Sequence, residues 1–124
     1  MVLKTILVVD DEKDLRNIYE QFLKRAGYNV ITADNPVEAL KTVDTQTIGL
    51  VITDYRMPKL DGANFCELIK ERHPTLPLIM ISGYTNEAIE TFRACQYGPD
   101  VIIDKPVQRS DLLAAVAKYL ERAA

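Results

Sequence analysis

The chain alternates short apolar runs with longer segments in which apolar positions recur every three or four residues. The runs cover Thr5 to Val9, Asn29 to Ala33, Gly49 to Thr53, Leu76 to Ile81 and Val101 to Ile103, with little charge inside them. Such runs predict strands buried on both faces, because a strand with one wet face would alternate apolar and polar residues. The intervening segments carry helical stripes: Leu15, Ile18, Tyr19, Phe22 and Leu23 in the first, Ala39, Leu40 and Val43 in the second. Phe65, Leu68 and Ile69, then Ile89 and Phe92, then Leu112, Leu113, Val116 and Leu120 repeat the pattern. Each stripe faces a polar opposite side, as an amphipathic helix requires.

The punctuation agrees. Asn35-Pro36-Val37-Glu38 offers a cap, a proline in the first turn and a capping-box glutamate, and Gly27 sits where the first helix should stop. Five strands alternating with five helices predict a parallel α/β sheet with right-handed crossovers and a helix layer on each face. No repeat, low-complexity stretch or linker divides residues 1–124, so one domain is expected.

Charge and cysteine usage narrow the function. Fifteen basic residues against 18 acidic ones give a formal charge of −3, which offers no broad attraction to nucleic acid or anionic lipid. Cys66 and Cys95 lack C-x-x-C spacing and a His cluster, so neither zinc nor a disulfide framework is expected. Both read as core fillers in a reducing compartment, and a cytoplasmic location is expected. The apolar start MVLKTILVV is interrupted by Asp10, Asp11 and Glu12 before any cleavage-like segment, and no run approaches the length of a membrane span.

Candidate chemistry lies at the ends of the runs, where Asp10-Asp11, Asp54, Ser82 and Lys105 follow four of the five strands. In a parallel sheet all carboxyl ends share one edge, and ligands bind there where the strand order reverses. Three carboxylates meeting at that edge repel one another, so they need raised pKa values, a cation, or both. Few carboxylates with room for water suit Mg²⁺ better than a full oxygen cage for Ca²⁺. One carboxylate then reads as a nucleophile toward a phosphoryl group, with the metal and Lys105 neutralising charge and the Ser82 hydroxyl bonding an oxygen.

Each residue also has a plain reading. Asp10-Asp11-Glu12 suits the first turn of any helix, Asp54 suits a turn before Met57-Pro58, Lys105-Pro106 a loop start, and Ser82-Gly83 a turn. Their joint placement favours the site. His73, before Pro74, reads as a solvated or capping residue with no role, and Asp104 should point to the opposite side of its strand from Lys105.

Taken in order, these residues resemble the response-regulator receiver domain: an acidic pair after strand one, an acceptor Asp after strand three, Ser or Thr after strand four, and Lys-Pro after strand five. Asp54-Tyr55-Arg56-Met57-Pro58 followed by Asp61-Gly62 is similar to the family's D-x-x-M-P-x-x-D-G signature, and Ser82-Gly83 and Lys105-Pro106 match as well. The resemblance covers the whole chain. It implies a flavodoxin-like, doubly wound five-stranded sheet in the order 2-1-3-4-5. It implies Asp54 as phosphate acceptor, Mg²⁺ bound directly by Asp11, Asp54 and the Arg56 backbone carbonyl and by Asp10 through water, Ser82 as switch hydroxyl and Lys105 as the cation holding the phosphoryl group. Arg56 and Tyr84, two residues beyond Asp54 and Ser82, would look over that group and tune its hydrolysis. The implied donor is a sensor histidine kinase or histidine phosphotransfer protein. A downstream protein or missing output domain would read the signal, from a monomer or weak dimer that is not itself a classical enzyme.

One position departs from the pattern. Receivers usually carry Tyr, Phe or His three residues before the strand-five lysine, where this chain has Ile102, and Val107 replaces a frequent aromatic after Lys-Pro. A branched aliphatic side chain has no ring to swing, so aromatic-coupled switching is in question while phosphorylation chemistry is not. Three alternatives stand beside the switch. A phosphatase with an aspartyl-phosphate intermediate would place a second Asp where Arg56 is. A flavodoxin-like cofactor binder would need a phosphate loop where Asp10, Asp11, Glu12 and Asp14 repel anions. A receiver-like scaffold binding protein constitutively is favoured by Ile102 and opposed by the complete acidic site.

Overall fold

The computed structural model describes residues 5–57, 62–93 and 95–123, with side chains described as far as Leu120. Pro58 and Asp61 of the signature lie outside the described residues. Five strands alternate with five helices: β1 (Thr5–Val9), α1 (Lys13–Arg25), β2 (Asn29–Ala33), α2 (Pro36–Thr45), β3 (Leu50–Asp54), α3 (Gly62–Arg72), β4 (Leu78–Ser82), α4 (Thr85–Arg93), β5 (Val101–Asp104) and α5 (Arg109–Ala123). All neighbouring strands are parallel, in the order β2-β1-β3-β4-β5.

The double burial expected of the strands is met in the central β1, β3 and β4, whereas the edge strands β2 and β5 are largely half-buried. Leu7, Val9, Val51, Leu78 and Met80 pack with Ala39 and Val43 of α2, Phe65, Cys66 and Ile69 of α3, and Ala88 of α4. The alternate residues Ile6, Val8, Leu50, Ile52, Ile79 and Ile81 pack with Tyr19 and Leu23 of α1 and Leu112, Val116 and Leu120 of α5. Two cores on opposite faces of one sheet follow from this alternation.

Local signals place the elements. The Asn35 side chain accepts a 2.9 Å bond from the Glu38 N–H with Pro36 in the first turn, and Gly27 takes φ +96° after α1. The Glu38 carboxylate lies beside Lys41, so Asn35 supplies the half of the capping box that is observed. Strands β3 and β4 begin and end later than the apolar runs suggest, because Asp54 and Ser82 still pair with Ile81 and Asp104 at the carboxyl edge. Ile18 and Ile89 are exposed rather than core residues: the stripes of α1 and α4 extend past the strip that the sheet covers. His73 has a partner, since Nε2 lies 3.1 Å from Asp44 Oδ1, which joins the ends of α3 and α2. Cys66 is buried as expected, but Cys95 is only half-buried, its thiol directed to the Thr91 carbonyl.

At the amino edge, Lys70 is buried and donates to the Leu76 carbonyl and to Asp100 Oδ2, which also accepts the Leu78 N–H at 2.7 Å. That clasp secures the entry to β4. The opposite edge is left to the polar strand ends.

Candidate functional site

The parallel register brings Asp10, Asp54, Ser82 and Lys105 to one edge, beside the point where β1 lies between β2 and β3 and the chain reverses its winding. Asp10 and Asp54 are nearly fully buried, Asp11 is exposed, and carboxylate oxygens of all three lie within 4.8 Å of one another. Asp54 continues the Leu50, Ile52 face of β3, toward α1 and α5. Lys105 Nζ reaches its Oδ1 at 3.2 Å.

Backbone bonds hold the loops. Asp10 donates its N–H to the Ala33 carbonyl, its Oδ1 accepts the Glu12 N–H at 2.9 Å, and its carbonyl accepts Arg16 Nη1 at 2.9 Å. The Tyr55 N–H meets the Ile81 carbonyl and the Lys105 N–H meets the Ser82 carbonyl. Gly62 packs so tightly under the β3 exit that a Cβ there would lie 2.6 Å from the Asp54 and Tyr55 carbonyl oxygens. Only glycine fits that approach.

Electrostatics follow from burial first and charge second. Burial pushes the Asp10 carboxyl up to about 6, opposed by its bond from Glu12 and reinforced by Asp54. Asp54 is also raised by burial, with Lys105 pulling the other way. The raised values expected of converging carboxylates are present, with removal from water acting more strongly than the neighbouring carboxylates. Tyr19, beneath the site on α1, is pushed up to about 12 by burial and then by Asp10 and Asp54, so its phenol stays neutral.

Asp10 Oδ2 is buried with no hydrogen-bond partner among the described residues. A partnerless buried oxygen beside two further carboxylates is a hard-oxygen donor set, and Mg²⁺ fits it. Ser82 Oγ accepts the Tyr84 N–H at 2.7 Å, which leaves its own proton for donation. Asp104, in register with Ser82, accepts from the Thr85 hydroxyl at the start of α4.

Arg56 and Tyr84 meet at the rim, with the guanidinium 3.9 Å from the ring centroid. Glu87 of α4 pairs with Arg56. Sequence reading missed Glu87 because 31 positions separate it from Arg56. Arg16 was missed as well, since its bond goes to a backbone carbonyl. Ile102 is half-buried against the core on the α2, α3 and α4 side.

Comparison with known proteins gives a consistent picture. A family model described as the response regulator receiver domain matches residues 6–117. The alkaline phosphatase synthesis transcriptional regulatory protein PhoP of Bacillus subtilis is 34% identical over 96% of this chain and 49% of its own length. The chain therefore spans about half the length of that relative. A response regulator receiver domain protein from Clostridium thermocellum superimposes with a TM-score of 0.86 at 31% identity, covering 97% of this chain and 96% of the other. A CheY-like receiver domain protein from Methanospirillum hungatei gives 0.88 at 29% identity, with 98% and 97% covered.

Proposed function

This chain belongs to the response regulator receiver domain family, and we propose that it accepts a phosphoryl group on Asp54 and signals through altered protein contacts. The supporting observation is a buried Asp54 carboxylate with Lys105 Nζ at 3.2 Å and two further carboxylates within 4.8 Å. A lone buried acid would be protonated and inert; one matched to a lysine and a metal site is a usable nucleophile.

In the proposed step an Asp54 oxygen attacks phosphorus, the P–N bond of a donor phosphohistidine breaks, and the electron pair stays on the imidazole. The donor is a sensor histidine kinase or histidine phosphotransfer protein. Lys105 follows the phosphoryl oxygens with its ammonium, and the Ser82 hydroxyl donates its free proton to one of them. Asp11 and Asp54, with the Arg56 carbonyl, would hold Mg²⁺ directly and Asp10 through water; when bound, the ion neutralises charge on the transferring group. Arg56 and Tyr84 stand at the rim where water must enter to hydrolyse the product. The readout passes to a downstream protein or an output domain.

A constitutive scaffold is the second reading, favoured by Ile102, whose branched side chain packs against the core. Beryllofluoride with Mg²⁺, a phosphoryl mimic, separates the two. Binding that shifts the amide resonances of Asp54, Ser82 and Lys105 is expected of the switch. No shift at saturating beryllofluoride would favour the scaffold.

A further inference from the structure

Two successive residues after Asp54 are fastened to α4. The Thr91 hydroxyl gives its one proton to the Glu87 carbonyl, so Tyr55 must be the donor in its 3.0 Å bond to Thr91 Oγ1. The Tyr55 ring also meets the Phe92 ring in an edge arrangement at 6.4 Å. These contacts fix the last turn of α4 against the β3 exit. On that base, Glu87 pairs with Arg56 while the Arg56 guanidinium lies over Tyr84, and Tyr84 gives its N–H to Ser82.

We propose that Glu87 is a positioning residue for Arg56: it holds the guanidinium on the Tyr84 ring and away from Asp54, competing with the phosphoryl group for that cation. The inference rests on Asp54 being the acceptor. Arg56 and Glu87 are each about half-exposed, so the pair is free to rearrange without unpacking the core. The groups acting most on Arg56 are Glu87, Tyr84 and Tyr55, whereas the cation acting on Asp54 is Lys105. Phosphorylation replaces the single charge of the Asp54 carboxylate with roughly 1.5 to 2 negative charges on the phosphoryl oxygens, against one on Glu87. Part of the Arg56 population then leaves Glu87 for the phosphoryl oxygens. There it covers the rim through which water attacks phosphorus, breaking the bond to the Asp54 oxygen, releasing inorganic phosphate and restoring the carboxylate. Glu87 sets how large that part is, and hence the lifetime of the phosphorylated state.

The test compares the parent, Glu87→Gln, Glu87→Asp, Arg56→Gln and the Glu87→Gln/Arg56→Gln pair. Each is labelled with acetyl phosphate and Mg²⁺ and followed by loss of label, and beryllofluoride affinity is titrated in parallel. Removing Glu87 frees Arg56, so Glu87→Gln is expected to lengthen the lifetime and tighten beryllofluoride binding about threefold, the scale of one exposed ion pair. Glu87→Asp, which keeps the charge, should stay near the parent. In the Arg56→Gln background the Glu87 change should have no effect. A parent that labels, paired with a Glu87→Gln variant of unchanged lifetime and affinity, would overturn the inference. So would an equal Glu87→Gln effect with and without Arg56. A parent that takes no label would instead overturn the acceptor reading beneath it.

Discussion

Asp10→Asn removes a buried charge while keeping the shape of the side chain, and it should stabilise the metal-free protein at neutral pH. The Asp10 carboxyl titrates near 6 in the folded protein against 3.8 unfolded, mainly because burial disfavours the charged form. The folded state therefore binds the proton more tightly. Stability from this group is fully present below pH 3.8, falls as pH rises through the interval to about 6, and is lost above it. The interval corresponds to about 3 kcal/mol, and relaxation of the groups around the buried charge brings the expected effect nearer to about 2 kcal/mol. In the variant the oxygen that accepts from the Glu12 N–H remains, and the new amide faces carboxylates as a donor. Urea unfolding in EDTA from pH 4 to pH 8 reads the difference between parent and variant. It should be near zero or slightly unfavourable at pH 4, then grow to a plateau of about 2 kcal/mol in favour of Asn above pH 7. A variant less stable than the parent at pH 8, or a difference flat with pH, would refute the placement of a strained buried charge at Asp10.

Gly62→Ala should cost about 2 kcal/mol or more, because its methyl would press on the backbone of Asp54 and Tyr55, where nothing flexible yields; equilibrium urea melts within about 0.5 kcal/mol of the parent would contradict that packing. Mg²⁺ at about ten times its dissociation constant should add about 1.4 kcal/mol to the parent's stability. Asp11→Asn should lose most of that gain in paired melts with Mg²⁺ and EDTA, and a variant keeping the whole gain would make Asp11 a helix-start residue and no ligand. Ile102→Tyr should extend the beryllofluoride-induced amide shifts from Ser82 and Lys105 into Gln96 to Val101; equal reach in both proteins would remove Ile102 as a limit on the readout.

Much of this was legible in the sequence because buried parallel strands write themselves as continuous apolar runs. Ile6 to Val9 and Leu78 to Ile81 are apolar at every position since each face of the sheet carries its own core, and the same burial makes the terminal Asp54 and Ser82 stand out. Helix faces were harder. Ile18 and Ile89 fit the apolar period yet lie outside the covered strip, a distinction set by how far each helix is rolled on the sheet. Side-chain pairs across elements left no local trace: His73 with Asp44, Lys70 with Asp100 and Arg56 with Glu87 depend on the tertiary approach of helices and loops. The balance of forces on the carboxylates was also hidden, because burial depth at Asp10 is a property of the β1 exit under α1 and not of the Asp-Asp pair itself.

The central claim is that Asp54 is a Mg²⁺-dependent phosphoryl acceptor. Intact-mass spectrometry after acetyl phosphate treatment tests it directly, on the parent with Mg²⁺, the parent in EDTA, and Asp54→Asn with Mg²⁺. The expected result is one phosphoryl group on the parent with Mg²⁺, and none in the other two samples. A parent that remains unmodified, or an Asp54→Asn variant that holds phosphate as stably as the parent, would contradict it.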